Sequence, residues 1–385
     1  MMKKNIQFVV KYTKHCNLRC AYCYEYNELH KTDKMQFSEI EKLFLNCKDY
    51  LNKEASAHVN FIWHGGEPFI VDLKNYKKIQ QLQEKIFPEN IVVSNGVQTN
   101  LTILTEKHIQ FLKEENFFNS MGISFDVYGD QRVDIKNRLQ TDLVLSNLQN
   151  IIKNKISVGA ISVLAKNTYP YVREIYKFYD ELNIPMRFLP IYRSAFDEQV
   201  EEHALSVKEI MNAMQMLLEE WSSSPTAVSV DPLEEYISYA IDFIKKEERR
   251  DYFNKEEDEH TFILNMNGDL WGVSETYDEE YKYGNVFNEK LEEIFNSEGR
   301  NKALACSKKR SERFCNSCIY YGYCSGSFVS NMTPPEALNS EKEGCMVKLS
   351  IDLIIKFFED KNIDQYILNQ NKMPKKFSSI STYTA

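Results

Sequence analysis

The strongest constraint on this chain is an alternation running from residue 6 to residue 191, in which short β-branched or aromatic runs are followed by longer amphipathic stretches. The runs predict strands at Gln7–Tyr12, His58–Trp63, Ile91–Ser94, Met121–Val127, Ile156–Leu164 and Met186–Ile191. Helical spacing predicts a first helix opening at the capping box Ser38-Glu-Ile-Glu41, and others near Leu73–Ile86, Thr105–Asn116, Thr141–Asn154, Thr168–Leu182 and Ser206–Trp221. Six strand-then-helix units in series imply a parallel sheet, because each parallel crossover needs a connection long enough to return along one face. The expected fold class is α/β, a partial (β/α)6 TIM-like barrel followed by a small Cys-rich C-terminal domain.

Such barrels collect their chemistry where the strands end. The unusual residues fall there. A loop with Cys16, Cys20 and Cys23 follows the first strand, His64-Gly-Gly-Glu-Pro68 the second, and Asn95-Gly-Val-Gln-Thr-Asn100 the third. Ser124 and Asp126 come toward the end of the fourth strand, and Arg187, Pro190, Tyr192 and Arg193 in or just after the sixth. All would converge on one rim.

The nine cysteines form two groups and two singletons. Cys16, Cys20 and Cys23 are three thiols close together, enough to hold a metal centre while leaving one coordination position open; on a four-iron cluster, one iron stays free to bind something. Cys315, Cys318, Cys324 and Cys345 are four, enough to close a site, and by spacing alone structural zinc would be their default. Cys47 shares a helical face with Ile40, Leu43, Phe44 and Leu51 and reads as a core thiol. Cys306 precedes a basic run and reads first as an inert thiol, with a spare ligand or a hydrogen-atom donor as alternatives.

Composition narrows the class of partner. A net charge of −9 argues against sequence-independent nucleic-acid binding. No stretch approaches the length of a membrane span, and the basic start has too short an apolar run for a signal peptide. Cysteine clusters in such a chain point to a reducing, cytoplasmic setting and to metal or redox chemistry. Residues 201–258 are helical and highly charged; Phe262–Trp271 reads as a hairpin turning at Asn267-Gly268; a loop-rich, Cys-rich region and a helix from about Met346 to Lys361 follow.

Cys-x3-Cys-x2-Cys at 16, 20 and 23, with Tyr22 before the last cysteine, resembles the signature of the radical S-adenosylmethionine (SAM) enzymes, and Gly65-Gly66-Glu67-Pro68 resembles their Gly-Gly-Glu-Pro motif. The resemblance implies a 4Fe-4S cluster on the three thiols, SAM on its open iron, and cleavage of SAM to a 5′-deoxyadenosyl radical. It implies cofactor contacts from Tyr22, the Gly65–Pro68 segment and Ser124; Arg132 and Arg138 are candidate carboxylate partners, since a planar guanidinium binds a carboxylate bidentately, with surface arginines as the alternative reading. Cys315-x2-Cys318-x5-Cys324 with the distant Cys345 resembles the C-terminal SPASM domain of such enzymes, implying one auxiliary 4Fe-4S cluster. The ligands of a second auxiliary cluster are missing: Phe328 stands at one position, and the hairpin Phe262–Glu275 has no cysteine. Two clusters are expected, not three. The implied organisation is a barrel over 1–205, a helical connector over 206–259, an auxiliary-cluster domain over 260–345 and a C-terminal helix and tail over 346–385.

The chain also resembles the anaerobic sulfatase-maturating enzymes, which carry a Cys-Asp pair after the hairpin. No aspartate falls in the aligned Leu270–Thr276, though Glu275 is close. The segments Gly122–Asp134 and Arg187–Arg193 resemble the cyclophane-forming peptide maturases. The leading expectation is a maturase that closes a carbon–carbon or thioether crosslink on a ribosomally made precursor peptide. Formylglycine formation on sulfatases, peptide epimerisation with Cys306 as thiol donor, and a zinc-stabilised binding scaffold are the alternatives. A low-potential donor such as a flavodoxin or ferredoxin is the implied redox partner. Because the first strand begins near residue 6, a separate leader-binding protein, the barrel mouth or a strand edge would recognise the leader.

Overall fold

The computed structural model describes residues 4–191, 202–248 and 252–368. The chain divides into two compact units, one of Met1–Ile161, Tyr192–Glu202 and Glu259–Ala303, the other of Ser162–Ile191, His203–Asp258 and Leu304–Ala385. The fold is a mixed α/β one built on parallel strands, in keeping with a partial TIM barrel.

The strand–helix alternation is realised in order: β1 (Lys4–Thr13), α1 (Phe37–Leu51), β2 (Ala57–Gly65), α2 (Leu73–Ile86), β3 (Ile91–Thr99), α3 (Glu106–Glu114), β4 (Ser120–Ser124), α4 (Thr141–Lys153), β5 (Gly159–Leu164), α5 (Val172–Glu181), β6 (Met186–Pro190) and α6 (Val207–Ser223). In the first unit β1 pairs with β2, β2 with β3, β3 with β4 and β4 with β5, all parallel. Side chains of β1 alternate: Phe8, Val10 and Tyr12 enter an aromatic core with Phe44, Phe61, Trp63 and Tyr76, while Lys11 faces the other way. Cys47 lies in this core with Ile40, Leu43, Phe44 and Leu51 on one face of α1, as the helical spacing predicts.

Three boundaries differ from the sequence reading. Helix α1 begins earlier, because Gln36 and Glu39 form the capping box in place of Ser38 and Glu41. Strand β3 continues through Asn95–Thr99, where a loop is expected, since polar side chains there are satisfied inside the unit: Asn95 exchanges hydrogen bonds with Gln83 and accepts from Trp63. The region expected to be loop-rich contains helices at Glu298–Phe314 and Pro334–Glu343.

In the second unit β6 pairs parallel with β7 (Val230–Asp231), ahead of α7 (Leu233–Lys245). The hairpin forms as expected, from β8 (Thr261–Leu264) and β9 (Asp269–Gly272), with Gly268 at φ +92° in its turn. Strand β8 also pairs parallel with β1, Gln7 opposite Thr261, so the hairpin belongs to the sheet of the first unit; β10 (Gly284–Asn285) completes that edge. Among the described residues no helix is long and apolar enough to cross a membrane.

Candidate functional site

The cysteine loop leaves the end of β1 and folds back in short turns, with Cys23 N–H donating to Cys20 O at 3.0 Å and Tyr26 N–H to Cys23 O at 3.0 Å. Cys16 and Cys20 are buried and Cys23 is half-buried. The loop is clamped by the segment after β2. Gly66 N–H donates to Thr13 O and Glu67 N–H to His15 O, each at 2.8 Å. This zipper explains both glycines: a Cβ on Gly65, whose φ is +119°, would lie 2.1 Å from Thr13 O, and one on Gly66 would lie 2.0 Å from His15 O. Glu67 is fully buried, and its carboxylate accepts from Phe69 N–H at 2.9 Å, Thr99 Oγ1 at 2.7 Å and Asn100 N–H at 2.7 Å. Burial pushes this carboxyl up to about 7 against those donors. Its position ties β2 to the end of β3.

Hydrogen-bond donors reach all three sulfurs, with the backbone N–H of Glu25 serving Cys23. Leu18 N–H lies 3.4 Å and Asn100 Nδ2 3.7 Å from Cys16 Sγ, and Arg132 Nη1 lies 3.6 Å from Cys20 Sγ. Burial raises all three thiols, Cys16 and Cys23 to about 12. Such thiols ionise readily only when a cation joins them, the environment that suits metal ligands. Arg132 is buried, with Nε and Nη2 each 3.0 Å from Asp126 Oδ2, and the Tyr22 hydroxyl donates to the same oxygen. Ser124 ends β4 and accepts from Gln98 Nε2 at 2.7 Å. Arg138 is exposed and salt-bridged to Asp134 four residues before it. Thus Tyr22, Gly65, Gly66, Glu67, Ser124 and Arg132 occupy or border one region around the loop. Arg187 pairs with Asp231, whereas Tyr192 and Arg193 lie outside the described residues.

A buried ionic network beside the loop was missed by motif reading. Lys11 donates to the Tyr24 hydroxyl and sits 3.6 Å from Glu25; Lys14 pairs with Glu25, donates to Tyr277 Oη at 2.8 Å and lies 3.3 Å from Glu28. Burial alone would raise the Glu25 carboxyl, but Lys11 and Lys14 hold it below its usual range. The available signal was a lysine at position 11 on the face of β1 opposite its aromatic residues. Tyr277 comes from the turn after β9 with φ +68°, a backbone conformation that bulky residues rarely take, and its hydroxyl also donates to Glu25. Glu275 is buried as well. It is Tyr277, two residues on, that reaches the network of the cysteine loop.

The second unit holds the other thiols. Cys315, Cys318, Cys324 and Cys345 line a single apolar cavity with Phe314, Phe328 and Val329. Cys315 lies just past the helix Glu298–Phe314, Cys318 N–H closes a turn onto Cys315 O at 2.9 Å, and Cys345 caps the helix Met346–Asp360. Gly326 N–H lies 3.4 Å from Cys324 Sγ, and its φ of +73° lets the Tyr252 ring pack where a Cβ would collide. Burial raises Cys315, Cys324 and Cys345, with the Tyr252 hydroxyl easing the rise at Cys315. Cys306 sits inside the helix Glu298–Phe314, more than two turns before Cys315. All nine cysteines are free thiols, and among the described residues no three His, Cys, Asp or Glu side chains are drawn tightly enough together for a single metal ion.

Comparison with known proteins matches two regions of the chain. Residues 10–179 match the radical SAM superfamily and residues 257–319 an iron–sulfur cluster-binding domain, the SPASM domain. A serine-type anaerobic sulfatase-maturating enzyme of Bacteroides thetaiotaomicron is 24% identical over 343 residues, covering 82% of this chain and 80% of its own. A cysteine-type enzyme of that name from Clostridium novyi is 24% identical over 345 residues, covering 86% and 90%. Among solved structures, native anSMEcpe with bound AdoMet superposes with a TM-score of 0.74 at 20% identity over 95% of this chain and all of the other. Streptococcus suis SuiB bound to its precursor peptide SuiA gives 0.58 at 14% identity over 88% of this chain and 76% of the other.

Proposed function

We propose, for a chain that belongs to the radical SAM superfamily and carries a SPASM iron–sulfur domain, that it matures a ribosomally made peptide by closing a crosslink between side chains. The cofactors of such a chain are 4Fe-4S clusters and SAM. The observation that carries the reading is the pairing of an open three-thiol loop with a four-thiol cavity. When bound, a cluster and SAM supply hydrogen-atom abstraction from an unactivated carbon through an adenosyl radical. Cys16, Cys20 and Cys23 would hold that cluster. Gly65 and Gly66 press the motif backbone onto the loop, and Glu67 fixes its approach by accepting three donors. Ser124 and Gln98 offer hydroxyl and amide groups at the end of β4 and on β3. Cys315, Cys318, Cys324 and Cys345 would hold a second cluster. Four thiols leave it no open position, so it would supply electron transfer rather than bind substrate.

A peptide substrate is supported by the names of the relatives, which mature sulfatases, and by SuiB, solved with a precursor peptide. Crosslinking is favoured over formylglycine formation by the residues after β9. The stretch Leu270–Thr276 has no aspartate, and a tyrosine at 277 meets the cysteine loop. Sulfatase maturation stays as the second reading because curated relatives on both substrate types, serine and cysteine, carry that name. A reducing cytoplasm suits nine free thiols, with a flavodoxin or ferredoxin as electron donor. The test is anaerobic incubation of the reduced protein with SAM and, separately, a short peptide encoded beside it and a sulfatase peptide. Loss of two hydrogens with a new ring in the first is the expected result. Conversion of only the sulfatase peptide selects the second reading, and solvent deuterium at an α-carbon without net mass loss selects epimerisation. No deoxyadenosine with any substrate overturns the proposal.

A further inference from the structure

We propose that Arg132 serves the centre at Cys16, Cys20 and Cys23 as a charged donor to the Cys20 sulfur that raises its reduction potential, instead of clamping the carboxylate of SAM. The inference rests on the reading of those thiols as cluster ligands. Its basis is where the guanidinium nitrogens lie. Asp126, itself buried, accepts a hydrogen bond from Nε at 3.0 Å and lies at ion-pair distance from Nη2, 3.0 Å, while Nη1 lies 3.6 Å from Cys20 Sγ. Tyr22 locks the arrangement twice: its hydroxyl donates to the same Asp126 oxygen, and its ring lies 5.6 Å from the guanidinium carbon.

The segment that brings Arg132 in is itself pinned to the cysteine loop. Arg19 N–H donates to Val133 O at 2.7 Å, and Leu18 bridges to Asp134. This arginine places Nη1 toward a ligand sulfur and Nε on a buried carboxylate. A permanently charged donor at a ligand sulfur in a low-dielectric site stabilises the more negative, reduced state of a cluster. Leu18 and Asn100 act on Cys16 in the same sense as neutral donors. Arg132 is the charged member of the set and is expected to have the largest effect on potential.

The experiment is a potentiometric titration of the anaerobically reconstituted full chain without SAM, read on the electron paramagnetic resonance signal that changes when SAM is added, with SAM affinity measured in parallel. Arg132→Gln is expected to make reduction about tenfold less favourable, about 59 mV for one electron, while SAM affinity changes less than about threefold. Arg132→Lys, which keeps the charge and loses the fork, is expected to recover part of the shift. Tyr22→Phe loosens the Asp126 anchor with all charges intact and is expected to shift the potential in the same direction by less. It also keeps the proposal testable if Arg132→Gln loses its iron. Unchanged potentials in these variants, with SAM bound tenfold or more weakly by Arg132→Gln, would overturn the proposal and return Arg132 to the carboxylate. A wild-type protein with no signal that responds to SAM would overturn the functional reading itself, a different result from a responsive cluster whose potential does not move.

Discussion

The two thiol sites surround their sulfurs with different groups. Around Cys16, Cys20 and Cys23 the sulfurs receive N–H groups from Leu18, Asn100 and Arg132, and a buried network of Lys11, Lys14, Glu25 and Tyr277 stands behind the loop. Around Cys315, Cys318, Cys324 and Cys345 the lining is mostly aromatic and aliphatic apart from Lys348, and backbone N–H groups serve the sulfurs, Gly326 at Cys324 and Val347 and Lys348 at Cys345. Donors to sulfur favour a reduced centre, while apolar burial disfavours added negative charge. The polar shell suits a site that must be reduced while a cosubstrate binds. The apolar one suits a closed centre of lower potential that passes electrons without touching substrate.

The comparison breaks most visibly if the thiols are removed. Replacing Cys16, Cys20 and Cys23 by alanine is expected to reduce deoxyadenosine formation to background and to bring iron from about eight to about four per chain, one cluster of two. Cys315→Ala should keep SAM cleavage within about tenfold and stop the crosslinked product. Complete crosslinked product from Cys315→Ala, measured by mass spectrometry, would refute the electron-transfer role of the second centre. Next in size comes the clamp between the motif after β2 and the cysteine loop. Gly66→Ala drives a methyl group into backbone, the His15 carbonyl at 2.0 Å, where no side chain can yield. A loss of about 3 kcal/mol or more in denaturant unfolding, with poor cluster incorporation, is expected. Glu67→Ala leaves Phe69 N–H, Thr99 Oγ1 and Asn100 N–H without their acceptor, at a cost of about 3 kcal/mol by the same measurement.

Period and spacing carried the fold because they report on faces. The apolar positions of α1 and the alternation in β1 are set by what each residue must bury, so Cys47 could be placed in the core from its neighbours alone. The end of β3 was not legible, since Asn95, Gln98 and Thr99 look like loop residues until Gln83, Ser124 and Glu67 supply their partners from elsewhere in the chain. The thiols and the glycines announce themselves by local spacing. Their polar shell does not: Asn100 reaches Cys16 across 84 positions, Arg132 reaches Cys20 across 112, and Tyr277 reaches Lys14 across 263. A hydrogen bond between distant residues leaves no local period, so Glu275 looked like the residue to watch and Tyr277 did not. The glycine motif shows a subtler gap. The resemblance implies cofactor contacts from this segment, and the structure adds that the two missing Cβ atoms make room for Thr13 and His15.

The finest test of the contrast compares one donor from each shell. Tyr252→Phe removes a neutral hydroxyl near Cys315 and leaves the ring that packs against Gly326. The apolar cavity therefore keeps its shape, and neither stability nor iron content should change measurably. The potential of the second centre should move by less than the tenfold expected at the first centre for Arg132→Gln, because a neutral buried hydroxyl stabilises added negative charge less than a guanidinium does. Equal shifts at the two centres would mean that charge on the donor counts for little. The polar and apolar shells would then differ in hydration alone.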